Sequence, residues 1–107
     1  MSSVHPLSPA DRKRAGAQAF FCYSIHALPE VGVIARLLEV CAKRGLLPAR
    51  LHSDLAPERG EITIDMQLAG IDVAYGEQMA RAMREVVGVR EVLTALKTAA
   101  EPLALSA

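Results

Sequence analysis

The sequence predicts an α+β domain in which a four-stranded antiparallel sheet is covered on one face by two helices. Three observations support this fold class. Some stretches alternate apolar and polar residues, others repeat apolar residues at helical spacing, and the two patterns follow one another in the order βαββαβ. The chain has 107 residues, of which 51% are hydrophobic, and this is enough for one compact domain with its own core.

The first strand is predicted over residues 19–27, which are rich in aromatic and β-branched side chains. Tyr23 and Ile25 fall on one face of this strand, and Ser24 and His26 fall on the other. We therefore expect one face to be buried and the other to be polar.

A helix is predicted over residues 33–44 because its apolar residues have the spacing of a single stripe. Lys43 and Arg44 lie in its last turn, where cations favour the helix dipole, and Gly45 followed by Pro48 supplies a stop signal. The predicted buried stripe consists of Ile34, Leu37, Leu38 and Cys41.

A hairpin is predicted next. Residues 49–56 alternate but are largely polar, as is typical of an edge strand. Residues 57–60 have the composition of a turn, in which Gly60 can adopt positive φ. Residues 61–68 then alternate strictly between apolar and polar side chains, which indicates a strand buried on one side.

The second helix is predicted over residues 74–86, with Asp72 as its N-cap. Gly88 ends this segment, and residues 89–94 are interpreted as the last strand, with a bulge possible near its beginning. The predicted buried stripe of the helix consists of Met79, Met83 and Val86.

This order of elements is that of the ferredoxin-like, split-βαβ fold. Right-handed crossovers place the first and third strands in the middle of the sheet and leave its second and fourth strands at the edges. The domain is predicted over residues 18–97, between a flexible arm (1–17) and a tail (98–107). The uncovered face of the sheet is expected to carry Ser24, His26, Thr63, Asp65 and Gln67.

The charge balance argues against nucleic acid and membranes as partners. Twelve basic and twelve acidic residues give a formal net charge of zero, and no stretch is long and apolar enough to span a bilayer. Aromatic residues for stacking on RNA bases are missing from the third strand. Cys22 and Cys41 have no metal or redox spacing and are interpreted as small buried residues. We expect a cytoplasmic protein without a cofactor.

A catalytic site is the weakest of the functional hypotheses. His26, His52 and Asp65 all fall on outward strand positions, and an acid–base site across a dimer interface can be built from them. Within one subunit the two histidines are separated by the third strand, so a shared metal site is not expected. The chain is therefore predicted not to be an enzyme.

The loop between the first strand and the first helix is the best candidate for a ligand site. A glycine lets the backbone approach a ligand closely, and the free amides of a helix N-terminus bind carboxylates. On spacing alone, a turn that merely shapes the start of the helix explains the loop equally well. The candidate residues are Leu28, Pro29, Glu30, Val31, Gly32 and Val33.

The run of residues 25–45 resembles the start of an ACT domain: an apolar strand, a short loop with a glycine, and a helix that ends in Lys43-Arg44-Gly45. The resemblance continues through residues 61–68 and the valine-rich segment 86–92. Within that family, the chain is similar to the small regulatory subunits of acetohydroxyacid (acetolactate) synthase, which act in branched-chain amino acid biosynthesis.

The resemblance implies a non-catalytic regulatory module that binds an amino acid effector between two copies and modulates a catalytic subunit. Gly32 would contribute backbone amides, and the homodimer would form along the edge strand that carries Arg50, His52 and Asp54. The alternative is a ligand-free structural module that assembles a protein complex through the same sheet edge.

Overall fold

The computed structural model describes residues 19–98 as one four-stranded antiparallel sheet with two helices. Strand order is β2-β3-β1-β4, which confirms the ferredoxin-like fold and the central positions of the first and third strands. The predicted arm, and the predicted tail beyond Thr98, lie outside the described residues. The elements are β1 (Ala19–Ala27), α1 (Val33–Ala42), β2 (Arg50–Ala56), β3 (Glu61–Ala69), α2 (Val73–Arg84) and β4 (Val89–Thr98).

The register of the central strands separates a buried face from an open one. Tyr23 of β1 lies between Met66 of β3 and Thr94 of β4, and its side chain is 1% exposed. The next residue, Ser24, lies opposite Asp65 on the other face. The polar alternation along β1 and β3 therefore marks the open face, as the sequence predicts.

The last strand is longer than predicted. The sequence pattern predicts an end at residue 94, but β4 continues to Thr98, which pairs with Ala19. Most of this extension is exposed, so the strong apolar alternation that identifies a half-buried strand is missing from it. The suspected irregularity is confirmed, because the register between β1 and β4 shifts at His26 and Ala27.

The stripe that α1 buries is rotated from the predicted one. Val33, Leu37 and Cys41 are fully buried, whereas Ile34 and Leu38 are half-buried on its flank. The helix therefore lies with an i, i+4, i+8 row directly over the sheet, and the Cys41 thiol lies 3.7 Å from the Met66 sulfur.

The first helix also ends earlier than predicted, at Ala42 rather than at residue 44. A turn follows in which Gly45 adopts a φ of 71°, so the glycine stop signal is confirmed. The Arg44 guanidinium donates a hydrogen bond of 2.9 Å to the Val40 carbonyl, and so satisfies one of the free carbonyls at the helix end.

The second helix is fixed by its cap and by close contact with β1. The Asp72 carboxylate accepts a hydrogen bond of 2.7 Å from the Tyr75 amide, which confirms the predicted N-cap. Met79 and Met83 are buried as predicted, whereas Val86 lies two residues beyond the end of α2 and is half-buried. The Tyr23 hydroxyl donates a hydrogen bond of 2.9 Å to the Gly76 carbonyl, and so ties the helix to the sheet.

One cysteine lies in a different place from the one predicted. Cys41 is buried in the core, but Cys22 is only half-buried, because it is an outward residue of β1 on the open face. The apolar neighbours of Cys22 in the sequence do not distinguish the two faces, since Phe20 also points outward and is half-buried.

Candidate functional site

The loop between β1 and α1 is held in place by backbone hydrogen bonds. The Leu28 amide donates to the Gly88 carbonyl at 2.8 Å, and the Glu30 amide donates to the Leu28 carbonyl at 2.8 Å. The loop is thus joined to the turn that precedes β4, a segment far away in the sequence. This places the start of α1 beside the beginning of β4.

The structure narrows the set of predicted loop residues. Leu28, Pro29, Glu30 and Val31 are exposed. The side chain of Val33, in contrast, is fully buried in the core, and its amide donates to the Glu30 carbonyl at 3.2 Å. Neither group of Val33 is open to a ligand, so the open groups are those of residues 28–32 and the free amides that follow in the first turn of α1.

Gly32 is the N-cap of α1, at a φ of −91° that other residues also adopt. A Cβ at this position would lie 3.1 Å from Nη2 of Arg36, so the absence of a side chain leaves room for the guanidinium. Among residues 19–98, no backbone acceptor is found for the amides of Gly32, Ile34 and Ala35. These donors are available to an anionic group.

Arg36 and the Val87–Gly88 turn complete the surroundings of the loop, and sequence reasoning missed both. The Arg36 guanidinium donates a hydrogen bond of 3.0 Å to the Val87 carbonyl and lies 3.3 Å from the Glu30 carboxylate. Gly88 has a φ of 98°, and a Cβ there would lie 3.0 Å from the same carboxylate. The spacing between Glu30 and Arg36 is visible in the sequence, but the contact with Val87 depends on the fold.

The predicted dimer edge is an exposed strand. Arg50, His52 and Asp54 lie on the open face of β2, which pairs with β3 on one side and with no other strand among the described residues. On the other face of β2, Leu51 is 40% exposed and Leu55 is 61% exposed. The helices therefore leave this edge strand uncovered on both faces.

The residues of the catalytic hypothesis are only partly brought together. His52 lies directly opposite Asp65, but His26 lies opposite Thr63 on the far side of β3. Each histidine already has a carboxylate neighbour: His26 Nδ1 is 2.9 Å from Glu61, and His52 Nε2 is 3.1 Å from Asp54.

The electrostatics of this face do not indicate a metal or acid–base centre. The hydrogen bond from His26 lowers the pKa of the Glu61 carboxyl, and the charges of His26, Arg59 and Arg90 lower it further. Residues 19–98 contain no group of three His, Cys, Asp or Glu side chains that could hold a metal ion.

Neither helix within residues 19–98 is long and apolar enough to cross a bilayer.

Neither protein-family models nor the sequences of curated proteins match this chain. Solved structures do. The ACT domain from GTP pyrophosphokinase of Chlorobium tepidum aligns with a TM-score of 0.60 at 14% identity, over 71% of this chain and 96% of that chain. The C-terminal domain of the MgtC protein from Mycobacterium tuberculosis aligns with a TM-score of 0.61 at 15% identity, over 79% of this chain and 94% of that one.

The regulatory subunit of aspartate kinase from Thermus thermophilus aligns with a TM-score of 0.56 at 11% identity. That alignment covers 75% of this chain but only 50% of the kinase subunit, so this chain corresponds to about half of it. At these identities the likenesses concern architecture. They show that residues 19–98 adopt the fold found in ACT domains.

Proposed function

We propose that this chain is a non-catalytic regulatory module of the ACT type, which binds a small amino acid-like ligand between two copies and modulates a partner enzyme. The observation that carries this proposal is the open N-terminus of α1 at Gly32, next to exposed loop residues that backbone hydrogen bonds hold in place. The fold shared with the ACT domain of GTP pyrophosphokinase and with a regulatory subunit of aspartate kinase supports it.

The chemistry of the loop suits a zwitterionic ligand. The amides of Gly32, Ile34 and Ala35 are suited to a carboxylate, because they point out of the positive end of the helix dipole. Glu30 precedes Gly32 by two residues and is exposed, and its carboxylate is suited to an ammonium group. An α-amino acid carries both groups on one carbon.

The sequence of β2 is self-complementary when two copies pair in antiparallel orientation about Ser53. In this register His52 lies opposite Asp54 of the partner subunit on one face, and Leu51 lies opposite Leu55 of the partner subunit on the other. The exposed leucines would be covered, and the free edge would gain a ladder of backbone hydrogen bonds. We therefore place the two-fold axis of the homodimer at Ser53.

The more specific form of the proposal is a small regulatory subunit of acetohydroxyacid synthase. It rests on the resemblance of this chain, within the ACT family, to the small subunits of that synthase. In this form the effector is a branched-chain amino acid and the partner is the catalytic subunit. Regulation then requires that the ligand binds with different affinity to two states of the assembly.

Calorimetric titration with the individual amino acids tests ligand binding. We expect heat of binding for at least one of them, and at about 100 times Kd the ligand raises the free energy of unfolding by about 2.7 kcal/mol. Gly32→Leu should abolish the heat while the protein stays folded, because the backbone at Gly32 is unstrained and the added side chain meets only the end of the flexible, exposed Arg36 side chain.

Ala42→Leu, at the exposed far end of the same helix, is the matched control and should bind as the unmodified chain does. Absence of heat for every amino acid would contradict the proposal, and so would a Gly32→Leu variant that binds normally.

The second candidate is the ligand-free structural module, favoured by the exposure of Leu51 and Leu55 on an edge strand. It predicts the same association through β2 but no heat with any amino acid. Under this hypothesis Gly32→Leu leaves every property of the assembly unchanged.

A further inference from the structure

The outward side of the sheet is a shallow concavity that neither helix covers. Its volume is about 530 Å³, and all four strands contribute to it. Small residues form the floor, namely Cys22, Ser24 and Ala95, and the longer side chains of Arg50 and Lys97 rise at the edges. The floor lies low because these small residues are adjacent in the register of β1 and β4.

Charges of opposite sign are separated along the strands of this face. Arg50 and Lys97 lie at one end, and Asp54 and Glu91 lie at the other. All four residues are exposed. Within residues 19–98, Arg50, Lys97 and Glu91 form no ion pair, and Asp54 is paired only with His52. The face therefore has a basic end and an acidic end that are mostly unneutralised.

We propose that this open face binds the open face of a second copy of the chain. A two-fold axis that runs across the strands, near the row of Ser24, reverses the strand direction in the second copy. The basic end of each copy then lies over the acidic end of the other, which is the complementary arrangement. An axis parallel to the strands would place like charges together, so the charge pattern selects one orientation.

An exposed leucine supports the same arrangement. Leu93 is 51% exposed in the middle of β4, on the open face, and lies opposite Ser24. In the proposed packing the two copies of Leu93 meet near the axis and shield each other from water. Asp65 lies in the same row as Ser24. It is the one charged residue on this face that the arrangement places near the same residue of the second copy.

The area of the face indicates a weak interface. Four strands at about 4.8 Å spacing and eight residues of about 3.3 Å each give a face of about 500 Å². Two such faces bury about 1,000 Å², the lower limit for specific association. The contact is therefore expected to depend on protein concentration and to weaken at high salt.

This surface is separate from the proposed ligand loop, and it shares Arg50 and Asp54 with the β2 edge strand. If both contacts form, edge-paired dimers associate face to face into a tetramer. Lys97 and Glu91 both lie on β4, at the opposite edge of the sheet from β2. Variants at these two positions therefore test the open face without changing the edge strand.

Sedimentation velocity over a concentration series at low salt measures the association. We expect Lys97→Glu and Glu91→Lys each to weaken the largest assembly at least tenfold, because each gives the two β4 positions the same charge. The combined variant should regain most of the lost affinity, since the two β4 positions again carry opposite charges, with their places exchanged. Asp65→Asn should strengthen the assembly, and Lys43→Glu, at the exposed residue that follows α1, should leave it unchanged.

Failure of the combined variant to recover would overturn the proposal. So would an assembly that both single variants leave unchanged, since the face would then bind something other than a second copy.

Discussion

Gly76 shows how one residue sets the distance between α2 and the sheet. An added Cβ there would lie 2.6 Å from the ring of Phe21, closer than van der Waals contact allows. The Gly76 carbonyl also accepts the hydrogen bond from the buried Tyr23 hydroxyl. Burial raises the pKa of Tyr23, so the hydroxyl remains a donor across the physiological range. The glycine is therefore required by packing, although it lies inside a helix where glycine is unfavourable.

Gly76→Ala is expected to destabilise the protein, because overpacking of a core costs about 1–3 kcal/mol. The gain in helix propensity is about 1 kcal/mol, so we expect a net loss of up to about 2 kcal/mol. Chemical denaturation gives the change. In the Phe21→Leu background, which removes the ring, Gly76→Ala should cost much less. An equal cost in both backgrounds would show that Phe21 is not the obstacle.

Glu61 couples the stability of the open face to pH. Its carboxylate accepts a hydrogen bond from His26 and lies 3.9 Å from the Arg90 guanidinium, and its pKa is lowered in the folded protein. A lowered folded-state pKa stabilises the protein above the unfolded-state pKa, and this contribution is lost as the pH falls through the folded-state value.

Glu61→Gln should therefore be less stable than the unmodified chain at neutral pH, and the difference should shrink below about pH 4. Thermal unfolding measured from pH 7 to pH 3 tests this. Glu39→Gln, on the exposed side of α1, controls for the loss of one negative charge. A difference that grows on acidification would contradict the assignment.

At the scale of elements, the strands and helices follow from their own sequences, and their mutual contacts do not. The alternation in residues 61–68 and the Asp72 cap are local signals, and the structure confirms both. The rotation of α1 about its axis is set by its packing on the sheet. The apolar pattern of the helix alone therefore does not determine which row of side chains faces the sheet. The extension of β4 to Thr98 lies at the edge of the sheet and is exposed, so its sequence lacks the apolar–polar alternation that identifies a half-buried strand.

The candidate loop was found from its glycine and its position before a helix, but its surroundings needed the fold. Arg36 is an exposed helical residue by its periodicity, and its contact with the Val87 carbonyl spans 51 residues of sequence. The burial of Val33 likewise depends on how α1 lies on the sheet. Local sequence therefore located the loop, and tertiary packing decided which of its groups are open.

At the scale of the whole molecule, the β2 edge and the open face of the sheet are both uncovered in a single copy, as far as residues 19–98 show. The zero net charge is consistent with both, since association of neutral chains meets little overall repulsion. The β2 edge makes the sharper structural prediction, because its register places one residue on the axis.

Ser53→Cys should form a disulfide between two subunits under mild oxidation, because antiparallel pairing about residue 53 brings the two Cα atoms to within about 4.5–5.5 Å. The experiment is made in a Cys22→Ser background, so that the half-buried native thiol does not react. Leu51→Cys, which lies opposite Leu55 of the partner subunit, is the control and should crosslink poorly. Efficient crosslinking of the control alone would show a different register.

The proposed function depends on the binding of an amino acid-like ligand at the start of α1. Amide NMR during titration with individual amino acids tests it most directly, because the proposed contacts are themselves backbone amides. We predict that at least one amino acid shifts the resonances of Gly32, Ile34 and Ala35 saturably, together with residues of β2. Shifts confined to the open face, or no saturable shift with any amino acid, would contradict the account.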